Sequence, residues 1–277
     1  MIINRINKAT IKKNLTQIFA LTERNIKLKL RFKFSLIISY FLPIISILMP
    51  IIILSKFFSL NNQFGPWTTT NYLIYQFIAY KIYSIKGITS EFPHQIREEK
   101  FWKTLPALII GPFNRYNILL GIFTSHILLI SIPFITFFIL CFLIAPISFI
   151  TLISIIGIYI IITLIFSGIG LVFGIFSASN ENMWKFLEFS FGLLFWLSCI
   201  TYPYELFPGF IQNLINLNPL YYLFDILRWT WIDNNPILTV ATYPYHFTIL
   251  IACGVIVPPI GIYIFDKIYN VYGIMGY

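Results

Sequence analysis

The residues of this chain that could carry out chemistry are few, and one stretch, residues 91–115, contains the densest group of them. The stretch reads EFPHQIREEKFWKTLPALIIGPFNR and contains the acids Glu91, Glu98 and Glu99 with one nearby histidine, His94. Acids beside a histidine are groups that enzymes use for general acid–base catalysis or for metal-assisted hydrolysis. The sequence contains neither an H-E-x-x-H nor a D-x-x-D pattern, however, so we predict no catalytic residues and no metal site.

Thiol and phosphate-binding motifs are also missing from the sequence. Cys141, Cys199 and Cys253 lie in or beside apolar runs and form no C-x-x-C pair, so they indicate neither a zinc site nor a disulfide framework. No G-x-x-x-x-G-K-[ST] phosphate loop is present. We therefore expect this chain to bind no cofactor itself.

The composition predicts what surrounds these residues. Hydrophobic residues make up 58% of the chain and charged residues 10%, whereas a soluble domain carries about 25% charged residues. The net charge is +9, and the basic residues concentrate in positions 1–33 and in residues 91–115. Because such clusters are typical of cytoplasmic loops of membrane proteins, we predict an all-α membrane protein with no nucleic-acid partner.

Six apolar runs are long enough to cross a bilayer. They cover residues 34–54, 71–88, 118–143, 149–176, 186–202 and 246–265. Only Lys56 and Arg228 of the 19 Lys and Arg residues fall on the outer side of this arrangement. The positive-inside rule then places both termini in the cytoplasm. We predict a multi-pass protein of the cell membrane, with one transmembrane domain over residues 1–277.

Two details of these runs predict how the helices pack. Run four carries glycines at positions 157, 168, 170 and 174, which would let neighbouring helices approach closely. Run two carries Lys81 and Lys86 in its cytoplasmic half, where long side chains can extend to the membrane surface.

The basic segment before the first run has a helical pattern. Ile11, Leu15 and Ile18 recur at three- and four-residue spacing among lysines and arginines. This pattern favours an amphipathic helix on the cytoplasmic face, with its basic side attracted to anionic headgroups. An ordinary basic anchor that orients the first span is the alternative.

Between the last two runs lies a long outer segment, residues 203–245. Its apolar middle is too short to cross the bilayer, is broken at Asn218-Pro219 and carries Asp225 and Arg228. We therefore predict two short re-entrant helices. Because Asp225 and Arg228 lie three residues apart, the spacing alone favours a surface pair of little energetic value.

Two stretches resemble the permeases of ABC exporters of the second type. The first, residues 97–121, matches at Glu98, Glu99, Lys100, Thr104, Leu105, Pro112, Arg115 and Gly121. The second, residues 202–229, matches at Pro203, Leu206, Pro208, Gly209, Gln212, Asn218, Pro219, Leu220, Tyr222, Asp225 and Arg228. Two positions depart from the family pattern: Lys103 stands where the family often has Gly, and Pro106 where it often has Glu.

The resemblance implies a function and partners. Two copies of the chain, or this chain and a homologous permease, would form an export pathway in the lipid bilayer. A separate ATP-binding subunit, carrying ATP and Mg, would drive it from the cytoplasm. The loop over residues 91–115 would hold a coupling helix that seats in the ATPase.

The resemblance also implies site residues. The coupling contacts would come from Glu98, Glu99, Lys100, Phe101, Trp102, Thr104 and Leu105. The pathway would be lined by Glu188, Phe191 and Phe195. The outer re-entrant helices would gate the exit through Pro208, Gly209, Asn218, Pro219, Asp225 and Arg228.

Other interpretations stay open from the residues alone. Residues 91–115 could be a solvated loop stabilised by its own ion pairs. An ion-coupled secondary transporter would need buried acids at mid-membrane, which only Glu188 approaches. A membrane-embedded lipid-modifying enzyme would need an acid and histidine constellation. For His126, in run three, a hydrogen bond between helices is the favoured interpretation.

Overall fold

A computed structural model of the chain describes residues 8–61, 66–104, 115–179 and 181–272. This described part is 89% helix and contains no strand. Continuous runs of isoleucine, leucine and phenylalanine fold this way in lipid because a helix satisfies its own backbone hydrogen bonds, whereas water is not available to do so. The predicted all-α class is confirmed for these residues.

The helices follow one another with short connections. They are α1 (Lys8–Arg31), α2 (Lys33–Asn61), α3 (Thr69–Phe101), α4 (Arg115–Ile144), α5 (Phe149–Ser179), α6 (Glu181–Trp196), a 3-10 turn (Tyr204–Leu206), α7 (Gly209–Asn216), α8 (Pro219–Asp233), α9 (Pro236–Thr242) and α10 (Pro244–Tyr272).

Three described helices are long and apolar enough to cross a bilayer. The segments are Tyr116–Ile144, Phe149–Ser177 and Pro244–Ile268, and they contain the runs predicted as spans three, four and six. The six-span arrangement as a whole stays a prediction.

Helix α3 differs from its predicted form. We expected a span over residues 71–88 followed by a loop from residue 91, but α3 continues as one 33-residue helix to Phe101, through Pro93. The expectation of a loop was wrong for residues 91–101, where two of the three acids do not face water. Glu91 and Glu99 are paired with basic residues of α1, so the helix carries its charges inside the protein.

The centre of the bundle is formed by α3 and α5, which pack on each other and on α4, α8 and α10. Glycines allow these close approaches, as predicted. A Cβ atom on Gly168 would lie 2.9 Å from the Cα of Pro258 on α10, and one on Gly170 would lie 3.0 Å from the carbonyl oxygen of Ile88 on α3. Gly157, in contrast, has open space around it.

Lys81 lies inside this core. Its side chain has no exposed surface, and its Nζ lies 4.6 Å from the ring centroid of Trp231 and 4.7 Å from that of Phe138. The expectation that Lys81 extends to the membrane surface was wrong. Aromatic ring faces on α4 and α8 attract its ammonium group instead.

The segment between α6 and α10 folds into short helices, with a break where we predicted it. Asn218 caps α8 by accepting a hydrogen bond from the backbone N–H of Leu220 at 3.1 Å, and Pro219 occupies the first helical position. Both choices are typical helix starts. The side-chain amide of Asn218 also donates to the carbonyl of Leu194 at 2.6 Å, which ties α8 to α6. The break is confirmed, and the re-entrant placement in the membrane stays a prediction.

The basic N-terminal helix is present as α1. It packs along α4, where Asn117 Nδ2 donates to Gln17 Oε1 at 2.7 Å. Apolar side chains on its other face stay exposed, with Leu15 at 60% and Phe19 at 78%. Helix α1 therefore binds the bundle with one face and leaves an apolar face uncovered.

Candidate functional sites at the two ends of the bundle

The carboxyl end of α3, which we call the Glu99 end, contains a buried ion pair. The Glu99 residue is only 4% exposed, and its Oε1 accepts a hydrogen bond from Arg24 Nη2 on α1. Its Oε2 accepts from the hydroxyl of Thr104, which follows the helix. The carboxylate thus joins α1 to the first residues after α3.

A second buried acid joins three helices. Glu91 Oε2 accepts from Lys29 Nζ on α1 at 2.5 Å and lies 3.2 Å from His126 Nδ1 on α4. The predicted interhelical hydrogen bond of His126 is therefore confirmed, with Glu91 as its partner. Together with the Arg24–Glu99 ion pair, this contact holds α1 against the carboxyl end of α3.

The end of α3 has the geometry of a Schellman motif. The backbone N–H of Thr104 donates to the carbonyl of Glu99 at 3.0 Å, and Lys103 between them has φ 58°, in the left-handed region. Glycine is favoured at this position because a Cβ atom is strained there. The position is the one where the resembling family often has glycine, so the departure noted in the sequence now has a physical meaning.

The predicted coupling residues divide into exposed and internal ones. Phe101 is 84% exposed and Trp102 is 39% exposed. Glu98 is half-exposed, with its Oε1 3.5 Å from His94 Nδ1. Glu99 and Thr104 face each other as described above. Lys100 belongs to α3, but its side chain is not among those described, and Leu105 lies outside the described residues.

A cavity of about 470 Å³ adjoins these ion pairs, between α1, α2, α3 and α4. Its wall includes Asn25 and Gln95, which are 2% and 7% exposed. Their side-chain oxygens have no hydrogen-bond partner in the described part of the chain. The ion pairs of the Glu99 end therefore lie beside space into which they can rearrange.

The opposite end of α3, which we call the Trp67 end, is organised around Arg228 of α8. Arg228 is 1% exposed, and its Nη2 donates to the carbonyls of Cys199 and Ile200 at 2.9 and 3.0 Å. Its guanidinium carbon lies 3.7 Å from the ring centroid of Tyr75. Both carbonyls follow the carboxyl end of α6, where a positive charge is favourable.

Helix α3 holds the same segment from the other side. The hydroxyl of Tyr75 donates to the carbonyls of Cys199 and Tyr202, and Gln76 Nε2 donates to that of Thr201 at 2.6 Å. Cys199 itself has φ 54°, in the left-handed region. A non-glycine residue keeps this conformation only where its surroundings determine it, and here Arg228 and Tyr75 do so.

Asp225 is buried beside these groups, at 6% exposure. Its Oδ2 accepts from Trp229 Nε1 at 3.0 Å and lies 3.4 Å from His246 Nε2. Helix α8 lies outside the three candidate spans. Burial raises the pKa of Asp225 to about 6, against the opposing effect of the Arg228 charge.

The interpretation of Asp225 and Arg228 as a surface pair was wrong. Both residues are buried, and each contacts a different neighbouring element. A spacing of three on a helix also occurs when two side chains lie on one buried face, and here that face is covered by α3, α10 and the segment after α6.

A cavity of about 180 Å³ opens at the Trp67 end. It is lined by Trp67, Tyr75, Cys199, Tyr204, Glu205, Tyr221, Asp225, Arg228, Trp229, Tyr243 and His246. The contributing elements are α3, α8, α10, the 3-10 turn and the connections beside them. The described part of the outer segment thus surrounds a small, strongly aromatic space.

The remaining predicted gate residues lie around this end. Pro208 and Gly209 are exposed at the start of α7, and Pro219 is exposed at the start of α8, whereas Asn218 is buried. The structure brings Asp225 and Arg228 to one cavity. It places Pro208 and Gly209 outside that cavity's lining.

The predicted pathway residues lie on α6. Phe191 and Phe195 are 6% and 3% exposed and pack against Phe166 in the core. Glu188 is exposed on the same helix. In a single chain, therefore, only Glu188 of the three presents its side chain to the surroundings.

No group of three or more metal-ligating side chains is found among the described residues. Their histidines each contact an acid on a neighbouring turn or helix: His94 with Glu98, His126 with Glu91, and His246 with Asp225.

Sequence reasoning missed several partners at both ends. Arg24 and Lys29 were assigned to a lipid-facing helix, and Tyr75, Trp67 and Glu205 were not selected as site residues. The surplus of basic residues in positions 1–33, set against the acids of residues 91–99, is the signal that could have indicated the ion pairs. No comparable signal marks Tyr75, since tyrosines are abundant throughout the chain.

Comparison with known families gives one match. A family model described as ABC-2 type transporter matches residues 16–231, which is well over half of the 277 residues. No curated protein matches the chain in the corresponding search. The matched region includes two thirds of α1 and both ends of α3, together with almost all of α8.

Proposed function

This chain belongs to the ABC-2 type transporter family, and from that membership we propose that it is the transmembrane permease subunit of an ATP-driven exporter. The family is one of transporter permeases rather than enzymes. A separate subunit would bind and hydrolyse ATP with Mg. This chain and a second copy, or a homologous permease, would form the pathway between them.

The proposed membrane arrangement has six spans and both termini in the cytoplasm, with the Glu99 end inside and the Trp67 end outside. Basic residues concentrate at the Glu99 end, as the positive-inside rule requires of a cytoplasmic face. Exposed Leu15 and Phe19 give α1 an apolar face suited to lying in the inner leaflet of the cell membrane.

The observation that carries the coupling proposal is the exposed aromatic pair at the end of α3. Phe101 and Trp102 project where the helix ends, while Glu99 behind them is fixed to α1 and to Thr104. Exposed aromatic side chains on a rigid support are typical anchors of protein interfaces. We propose that Phe101 and Trp102 seat in the ATPase, with Glu98, Lys100 and Leu105 beside them, and that Glu99 and Thr104 act as their support.

The rest of the proposed mechanism assigns roles to the other sites. Glu188 would face the pathway at the dimer interface, and movement of α6 would bring Phe191 and Phe195 to it. The gate would be formed by α7 and α8, through the residues predicted from the sequence: Pro208, Gly209, Asn218, Pro219, Asp225 and Arg228.

Co-purification with the cognate ATP-binding subunit tests the coupling proposal. We expect the wild-type permease to retain the ATPase through purification, and the double variant Phe101→Ala, Trp102→Ala to retain at least about tenfold less, since interface aromatics often contribute more than 1.4 kcal/mol each. Phe189→Ala, at a residue 66% exposed on α6, is the matched control and should bind normally.

Other results would change the assignment. Normal ATPase binding by the double variant would overturn the role of the α3 end. Transport that continues without any ATPase would favour an ion-coupled secondary transporter. Turnover of lipid by the purified chain without ATP would favour a membrane-embedded enzyme.

A further inference from the structure

The cavity at the Trp67 end is walled by aromatic rings in several orientations. Six of its lining residues are aromatic: Trp67, Tyr75, Tyr204, Tyr221, Trp229 and Tyr243. Trp67 lies at 82° to Tyr75, whereas Trp229 and Tyr243 are stacked at 20°. The face of an aromatic ring is negative and its edge positive. A cavity walled by six rings is therefore a candidate site for a cation held over a ring face.

Two carboxylates belong to the same wall, and each holds an indole ring. Glu205 Oε2 accepts from Trp67 Nε1 at 2.9 Å, and Asp225 Oδ2 accepts from Trp229 Nε1 at 3.0 Å. These bonds fix the two largest rings of the cavity. They also place two negative charges next to rings that already favour a cation.

The one guanidinium of the wall is directed elsewhere. Arg228 Nη2 is bound to the carbonyls of Cys199 and Ile200, and its plane lies over Tyr75. The cavity wall therefore contains two carboxylates and one guanidinium, and backbone oxygens largely compensate the positive charge of the guanidinium. The balance favours a positively charged occupant.

We propose that this cavity binds a small organic ammonium ion of the choline type. Aromatic cages with carboxylates are how proteins recognise such cations. The volume of about 180 Å³ is below the roughly 300–1,000 Å³ of pockets for drug-sized ligands, so a small ion or a headgroup fits. Two lining residues, Arg228 and His246, each also have a buried side-chain nitrogen without a hydrogen-bond partner in the described structure, Arg228 Nε and His246 Nδ1.

Titration of the purified, detergent-solubilised protein with choline tests this inference. Tryptophan fluorescence is the readout, because Trp67 and Trp229 line the cavity, and calorimetry gives an independent affinity. The neutral isostere 3,3-dimethylbutan-1-ol serves as the comparison ligand. We expect saturable binding of choline and at least about tenfold weaker binding of the isostere, since only the charge differs.

Variants connect the binding to the cavity. Glu205→Gln and Asp225→Asn each remove a lining charge and should weaken choline binding about tenfold or more. Asp233→Asn is the matched control, because Asp233 lies on α8 but not in the cavity lining, and it should bind choline as the wild type does. Size-exclusion profiles and thermal midpoints show which variants are folded. If Asp225→Asn does not fold, the Glu205→Gln variant, on the 3-10 turn, still tests the inference.

Each further outcome has a defined meaning. Equal binding of choline and its isostere, no choline binding, or unchanged affinity in folded Glu205→Gln protein would overturn the inference. Glycerophosphocholine distinguishes the source: binding as tight as that of choline indicates a lipid headgroup, and weaker binding indicates a free solute. Neither result affects the coupling proposal, which is measured by ATPase co-purification.

Discussion

At the Glu99 end, buried acids face basic side chains of another helix, whereas at the Trp67 end the buried arginine faces backbone carbonyls and an aromatic ring. Ion pairs between side chains can exchange partners when another protein supplies new charges. Carbonyls of a fixed segment cannot be exchanged in this way. The comparison indicates that the Glu99 end is suited to a changing contact, and that α8 and the segment after α6 at the Trp67 end stay fixed to each other, so that they would move as one unit in a gate.

The largest predicted effect is at Arg228. Arg228→Met would leave the carbonyls of Cys199 and Ile200 without their donor and would remove the contact with Tyr75. We expect the free energy of unfolding to fall by about 3 kcal/mol, because hydrogen bonds to charged groups contribute roughly 1.5–3 kcal/mol each. Unfolding by a denaturing detergent, followed by circular dichroism, measures this change in the free energy of unfolding.

Arg228→Lys is the informative companion variant. It keeps the charge but cannot reproduce the planar fork of donors, so its stability should fall between those of the wild type and of Arg228→Met. Wild-type stability in Arg228→Met would remove the basis for calling this end fixed.

A smaller effect is predicted for the Arg24–Glu99 pair. Arg24→Met and Glu99→Gln should each lower stability by about 2 kcal/mol, less than the 3–5 kcal/mol of fully buried pairs because the Arg24 side chain is 33% exposed. The double variant should lose less than the sum, which gives a coupling energy in a double-mutant cycle.

The Arg24–Glu99 double-mutant cycle is more informative when it is repeated with the ATPase bound. If the Glu99 end changes partners as proposed, the coupling energy between Arg24 and Glu99 should differ between free and bound protein. The exposed pair Lys27–Glu23 on α1 is the control, and its cycle should show no measurable coupling in either state. An identical Arg24–Glu99 coupling in both states would contradict the distinction between the two ends.

The smallest predicted effect is a gain. Lys103 has φ 58°, and a left-handed residue with a Cβ atom costs roughly 1–2 kcal/mol. Lys103→Gly should therefore raise stability by about 1 kcal/mol, whereas Lys103→Ala, which keeps the Cβ atom, should not. Thermal midpoints of the three proteins decide this, and equal midpoints for the Gly and Ala variants would exclude the backbone explanation.

Much of the helical framework could be predicted from local patterns. Long apolar runs predicted the helices around Tyr116–Ile144 and Phe149–Ser177, and an Asn-Pro step predicted where α8 begins. Gly168 and Gly170 were recognised as packing positions because only the absence of a side chain allows backbones to touch. Each of these signals is contained within a few neighbouring residues.

The parts that could not be predicted depend on residues far apart in the sequence. Helix α3 extends to Phe101 because Glu91 and Glu99 meet α1, which is more than 60 residues earlier in the chain. Arg228 is buried because the segment after α6 offers free carbonyls. A charged residue considered alone in the sequence is expected to be exposed to water. Only the fold shows that a distant part of the chain supplies its partner.

The unbroken length of α3 has a mechanical consequence. At about 1.5 Å per residue, its 33 residues form a lever about 50 Å long, with the aromatic residues Phe101 and Trp102 at one tip and the clamped carbonyls near the other. A tilt of about 5° around one tip would displace the opposite tip by about 4 Å, by the geometry of a rod of that length. A small push at one tip would in this way become a movement of atomic size at the other tip.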